Sequence, residues 1–217
     1  MKKVLCLMLS IVSMSASAQE DGRAYKSGDF RFDFSIPHFN SLSLNPGGEF
    51  REVASGFGGW GAGFEYSYQD RKFLAASCAY VNTYKFFVGI PYTAEYNKVL
   101  FSAYANLTDN VTLGSFTLGY GFCYTLNLWQ EYTRDLNAIN LPTTYSRTYT
   151  SNNLGLSLNA WFRAGRSLHF GLIYQPSLLN LNNGISTVYE HSISAGVLWR
   201  FKLLNFNAPR QHRIRRI

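Results

Sequence analysis

The chain has 217 residues, of which 17% are aromatic and only 15% charged, with a formal charge of +7 and a mean hydropathy of −0.11. That charged share is well below the ~25% of soluble domains, and beyond the N-terminus no apolar run approaches the ~20 residues of a membrane helix. Setting aside Lys2, Lys3, Arg210, Arg213, Arg215 and Arg216 leaves 14 of the 20 basic residues against 13 acidic ones, so the basic excess sits at the chain ends and no nucleic-acid partner is implied.

Lys2-Lys3, the apolar run from Val4 to Val12 and Ala16-Ser17-Ala18 read as a signal peptide over 1–18. Cleavage after Ala18 would leave Gln19 first. Residues 19–27 read as a polar periplasmic lead-in, and the pattern over 28–203 is that of strands. Strand one is Asp29 to Ile36: Phe30, Phe32, Phe34 and Ile36 alternate with Asp29, Arg31, Asp33 and Ser35, and Pro37 is expected to end it. A long loop to about Ser55 contains Asn45-Pro46-Gly47-Gly48. Strand two, about Phe57 to Tyr68, sets Trp60, Ala62, Phe64, Tyr66 and Tyr68 against Gly59, Gly61, Gly63, Glu65 and Ser67. Strand three, about Phe73 to Thr83, has a weak preference for Leu74, Ala76, Cys78 and Tyr80 outward.

A loop over 84–97 precedes strand four, Lys98 to Leu107, and Thr108-Asp109-Asn110 reads as a tight turn. In strand five, Val111 to about Leu128, seven apolar residues from Phe116 to Leu128 alternate with Ser115, Thr117, Gly119, Gly121, Cys123, Thr125 and Asn127. A third loop covers 129–147. Asn153 to Tyr174 is a hairpin: Leu154, Leu156, Leu158, Ala160 and Phe162 face one way, and after Ala164-Gly165-Arg166 the alternation restarts at Leu168. A fourth loop over 179–186 leads to the last strand, Val188 to Lys202, where Tyr189, His191, Ile193, Ala195, Val197, Trp199 and Phe201 oppose Glu190, Ser192, Ser194 and Arg200. Period-two alternation with glycine and serine on the polar face is the pattern of an all-β, eight-stranded antiparallel up-and-down transmembrane β-barrel, with lipid outside and a polar lumen inside. Long and short connections alternate, as they do between the extracellular and periplasmic sides of such barrels. A soluble eight-strand barrel would place the aromatic row inside and charge outside.

With this pattern the chain resembles the small outer-membrane barrels of the OmpA/OmpX type over essentially its whole exported length. Its Asn- and Tyr-rich composition is similar to outer-membrane proteins of Bacteroidetes-type bacteria. The resemblance implies that the terminal-strand aromatics, Trp199 and Phe201, are read by the barrel-assembly machinery, although the basic periplasmic tail over 204–217 continues beyond them. Some barrels of this kind are lipid A-modifying enzymes. Glu190-His191-Ser192 holds the residue types such an enzyme needs, but neighbours on a strand point to opposite faces, so the residues cannot meet.

The inward charges Arg31, Asp33, Glu65, Arg163 and Arg200, with His169 nearby, all fall in the periplasmic half and read as a salt-bridge layer plugging the lumen. Gly59, Gly61, Gly63, Gly119, Gly121 and Ser157 read as the lining of an uncrowded outer half. Cys78 and Cys123, on strands flanking a third, would lie ~9–10 Å apart, from the ~4.8 Å strand spacing, beyond disulfide reach; both are expected to be free, buried thiols. No cofactor or metal is implied. The expected function is that of a monomeric, non-enzymatic barrel with a filled lumen, acting structurally or through a periplasmic or extracellular protein partner bound by its loops or basic tail. A small pore or ligand-binding barrel using the outer half is the alternative, and a lipid A-modifying enzyme the third reading.

Overall fold

The computed structural model describes residues 25–45, 51–84, 96–134, 144–182 and 185–207. These form eight strands: β1 Asp29–Leu44, β2 Glu52–Gln69, β3 Lys72–Tyr84, β4 Tyr96–Leu113, β5 Phe116–Arg134, β6 Thr144–Arg163, β7 Leu168–Asn180 and β8 Glu190–Asn205. Each pairs antiparallel with its sequence neighbours, and β8 returns to β1 to close the barrel. Residues 46–50, 85–95, 135–143 and 183–184 of the long connections, the leader with residues 19–24, and the tail from residue 208 lie outside the described residues.

The two-residue alternation becomes an inside and an outside. Phe64, Leu74, Leu107, Leu118, Tyr120, Phe122, Leu156, Phe170 and Leu172 are exposed on the outer face, where a bilayer would cover them. Glu65, Ser67, Thr108, Asn110, Thr117, Thr125, Asn153, Ser157 and Ser194 are buried in the lumen. At 13 to 20 residues the strands exceed the ~9–11 needed to cross a bilayer.

Several boundaries differ from the sequence reading: β2 begins at Glu52, β5 runs on to Arg134 and β6 begins at Thr144, inside the expected loops, and two further differences bear on the lumen. Pro37 does not end the first strand: β1 runs on to Leu44, with a bulge against β8 between Pro37 and Phe39. A bulge is a place where the ladder is already broken, so a residue without an N–H costs nothing there. The extra residue also reverses the facing of the strand. Below it Asp29, Arg31 and Asp33 point inward; above it Asn40, Leu42 and Leu44 do. Neighbouring β2 is irregular at the same height, where Gly58 and Gly59 take φ of 132° and 126°, a region that favours glycine. Asn40 Nδ2 bonds the freed Gly58 carbonyl and Asn82 O, stitching the irregularity to β3.

Nor is Thr108-Asp109-Asn110 a turn. β4 continues to Leu113, and the reversal is at Gly114-Ser115, with Gly114 at φ 62°. Thr108, Asn110 and Thr112 are inward-facing strand residues, and Asp109 faces out to accept a 2.9 Å bond from the Tyr68 hydroxyl. Polar lumen residues next to the chain reversal look in sequence like a polar turn.

The cysteines divide between the two surfaces. Cys78 pairs with Ala105, and Asn106 with Cys123, so they flank β4 as expected and both are free. Cys123 is buried, but Cys78 is exposed on the outer face beside Leu74 and Ala76, correcting the expectation of two buried thiols.

Close strand contact makes some glycines irreplaceable. A Cβ on Gly121 would drive into the Leu107 carbonyl, whereas one on Gly165 would meet nothing nearer than Leu168 Cβ at 3.8 Å. Gly121→Ala should therefore cost about 1–3 kcal/mol and Gly165→Ala almost nothing, read as the urea midpoint of the heat-modifiable folded band.

Candidate functional site

The lumen is filled in layers. At the short-turn end, Tyr25, just ahead of β1, inserts into the barrel and stacks on Phe73 of β3 with ring centroids 4.7 Å apart. The Arg31 guanidinium lies over the Tyr25 ring at 3.8 Å, and that of Arg200 lies 5.3 Å from the Phe73 ring and 5.9 Å from that of Tyr25, so one cation covers the stack and the other flanks it. Burial pushes the Tyr25 hydroxyl up to about 12, which keeps the ring a neutral face for both cations. Arg31 Nη2 reaches Asp29 Oδ2 at 2.5 Å, and Lys202 Nζ reaches Asp29 Oδ1 at the same distance. Asn205 Nδ2 and the Lys26 backbone N–H complete the donors around Asp29.

One step deeper, Arg200 Nε donates to Glu65 Oε1 at 2.7 Å, and both side chains are almost fully buried. Asp33 stands in register with Arg200 on β8 and Gly63 on β2. Above this pair a cavity of about 70 Å³ is lined by Tyr104, Asn106, Asn159, Gln175 and Ser194. Glu65 Oε2, Arg200 Nη1, Asn159 Oδ1 and Ser194 Oγ have no protein partner, and the cavity exceeds the ~10–15 Å³ a water needs.

The next layer is apolar: Leu42, Leu44, Val81, Leu100, Tyr104, Cys123 and Trp129 form one buried cluster inside the barrel. It fills the region expected to be an open, glycine-lined outer half. Gly63 lies at the level of Asp33, and Gly119 pairs with Asn110, close to the Gly114-Ser115 turn. Gly121 faces Thr108 and Ser157. These four residues, Ser157 included, therefore belong to the short-turn half, and Gly59 and Gly61 to the middle. The space Gly119 leaves is taken by the Asn110 and Asn159 side chains. The displacement follows from the true position of the turn, which brings β5 residues five positions nearer the barrel end.

At the far end lies a feature the sequence reading did not weigh. Glu190 is 1% exposed and among the described residues has no cation within ion-pair distance; Ser151 Oγ at 3.0 Å, Asn153 Nδ2 at 2.6 Å and Asn127 Nδ2 converge on Oε2, and the Asn45 backbone N–H donates to Oε1 at 2.6 Å. One carboxylate so joins β1, β5, β6 and β8. The inward parity of Glu190 was legible in sequence, but not that three polar donors would share its height.

The expected salt-bridge residues divide accordingly. Arg200–Glu65 is a pair, Arg31 pairs with Asp29, and Asp33 sits beside Glu65 and Arg200. His169 is buried, its Nδ1 3.1 Å from Ser167 O. Arg163 has no carboxylate within ion-pair distance among the described residues. Trp199 and Phe201 lie on the outer face, Trp199 6.3 Å from Phe34. Ala16, Ala18 and Gln19 lie outside the described residues. Glu190 and Ser192 point inward while His191 contacts Tyr174 and Tyr189 on the outside, so no nucleophile–base pair forms there. Among the described residues no three His, Cys, Asp or Glu side chains converge on a metal position.

No family model matches the chain, and no curated protein sequence does. Among solved structures it is similar to Ail, the attachment invasion locus protein of Yersinia pestis, with a TM-score of 0.52 and 9% identity over 81% of this chain and 99% of that one. Neisserial surface protein A is also similar, at 19% identity over 81% and 98% with a TM-score of 0.44. The first likeness shows the fold, that of a small outer-membrane barrel of the OmpA/OmpX type.

The three environments predict three costs. Glu65→Ala leaves Arg200 buried without its partner and should cost about 3–5 kcal/mol. Glu190→Ala leaves several buried donors unmet and should cost about 3 kcal/mol. Arg163→Gln breaks no pair and should stay within about 0.5 kcal/mol. Urea titration of the folded band ranks them.

Proposed function

We propose that the chain is exported with loss of residues 1–18 and inserts into the outer membrane as a monomeric, non-enzymatic, non-conducting barrel. On this reading it works as a structural or interaction protein, through its extracellular loops or its basic tail. The observation that carries the reading is the lumen, which side chains fill from Tyr25 at one mouth to the Glu190 cage at the other. An eight-stranded barrel is just wide enough for side chains to fill, and here the middle cavity is about 70 Å³ and bounded by an apolar layer on one side and an ion pair on the other. A continuous water path would have to cross Leu42, Leu44, Leu100 and Trp129.

What is left to act is the surface and the ends. The strands carry more residues than a bilayer needs, so they reach beyond its hydrocarbon core. At the end of the long connections an exposed cluster gives a partner something to read: Arg51 Nη2 lies 3.3 Å from His191 Nδ1, and the Tyr174 and Tyr189 hydroxyls are 2.7 Å apart. The apolar outer face meets outer-membrane lipid, and outward Trp199 and Phe201 of β8 supply the aromatic terminal strand offered to the assembly machinery.

Planar-bilayer recording of the refolded chain tests this directly. The wild type should be silent, and Glu65→Ala, which opens the ion-pair layer but leaves the apolar one, should show at most brief openings. Steady openings from the wild type would overturn the reading in favour of a small pore.

A further inference from the structure

The short-turn mouth, periplasmic in the reading above, opens into a cavity of about 660 Å³ whose walls are unevenly charged. Lys26, Arg31, Arg163, Arg166, Arg200 and Lys202 line it, against the single carboxylate of Asp29. Asp29 is already committed: Arg31, Lys202, Asn205 Nδ2 and the Lys26 N–H occupy its two oxygens. Glu65, behind the wall, engages Arg200 through Nε. Lys26, Arg163 and Arg166 are left with no carboxylate within ion-pair distance among the described residues. Arg200, only 6% exposed, closes the inner wall of the cavity.

Structural need does not explain this. Lys26 and Arg166 are exposed and Arg163 half-buried, and among the described residues none of them takes part in the ion pairs that hold the plug. Among the described residues, three cations without a carboxylate partner stand with Arg200 around one open cavity, which is the arrangement of a site that awaits an anion. We propose that this mouth binds a multiply charged oxyanion of the phosphate class, held by Lys26, Arg163, Arg166 and Arg200. A monocarboxylate would neutralise one of the free charges and leave the others facing each other. A phosphate-class group carries two or more charges and presents several oxygens, which match the forked N–H donors of arginine while lysine supplies a point charge. The position also suits capture. The β6–β7 turn brings Arg163 and Arg166 to the rim, β1 and β8 bring Arg31, Arg200 and Lys202 to the wall, and Lys26 enters from the segment before β1. The ligand enters from the aqueous side and stops at the Tyr25–Phe73 stack, so binding requires no open pore.

The chemistry is shared by two sources, a free phosphorylated solute and the headgroup of an anionic lipid in the adjacent leaflet. Calorimetric titration of inorganic pyrophosphate into the refolded chain, in a non-ionic detergent at low salt, reads the site. We expect one-to-one binding that Arg163→Gln/Arg166→Gln weakens by roughly a hundredfold, about tenfold for each charged hydrogen bond removed. Arg51→Gln, a cation at the opposite end, should leave it unchanged. Repeating the titration in nanodiscs separates the sources. Equal pyrophosphate binding in phosphatidylcholine and phosphatidylglycerol discs assigns a free solute; binding weakened tenfold or more by phosphatidylglycerol assigns the headgroup. Absence of binding in detergent and in both discs overturns the proposal, as does binding that Arg51→Gln and the double variant weaken alike, which is the mark of diffuse charge attraction. A silent bilayer recording with no pyrophosphate binding would sink this site and leave the closed-barrel function standing.

Discussion

Closure of the sheet is the constraint from which the other features follow. Hydrocarbon offers no partner to a backbone N–H or C=O, so every strand must find both neighbours, and only the β1–β8 pairing lets the edge strands do so. Once the sheet closes at eight strands, its interior has a fixed and small cross-section. The inward half of each strand must then fill that space with side chains that satisfy one another. Glycine is demanded where backbones press together, as Gly121 does on the Leu107 carbonyl and Gly155 on that of Pro176.

Within that space two buried carboxylates are stabilised by opposite means. Glu65 takes a guanidinium, Arg200, and so carries a cation into the lumen that must itself be housed; the Tyr25–Phe73 stack does this with ring faces. Among the described residues, Glu190 takes only neutral donors. The difference makes the lumen polar along its length. Cations collect at the short-turn mouth, where Arg163 and Arg166 add to those already required. Toward the opposite end the lumen is sealed by leucines and Trp129.

The sequence carried the architecture because closure imposes a strict period of two, and seven apolar residues alternating from Phe116 to Leu128 admit no helix. It carried the inward parity of Arg31, Asp33, Glu65 and Arg200 for the same reason. It misled where parity breaks. Leu42 and Leu44 continue a strand whose facing the Pro37–Phe39 bulge has reversed, and a single chain offers no sign of which residue will be the extra one. Thr108 and Asn110 have turn-like composition because lumen residues and turn residues are both polar. Pairings across the lumen were beyond reach. Arg31 pairs with Asp29 two residues away, but Arg200 with Glu65 and Asn153 with Glu190 depend on the stagger of strands around the barrel, which alternation does not encode.

The bulge has a functional consequence as well. Had β1 kept its lower parity, Ser41 and Ser43 would face inward and Leu42 and Leu44 would face lipid, leaving the upper lumen polar and hydrated beneath Glu190. Reversal places two leucines inside, where Val81, Leu100 and Trp129 close round them, and moves the serines outward, where Ser41 bonds Ser55 and Ser43 accepts from Arg51. One inserted residue thus puts an apolar layer where a polar one would otherwise stand. It also sets polar groups on the outer surface at a height where apolar ones are needed only if lipid is present. Ser41, Ser55 and Arg51 supply those groups among exposed Phe39, Val53 and Phe57, so the outer face at the reversal is mixed where the lower strands are mostly apolar.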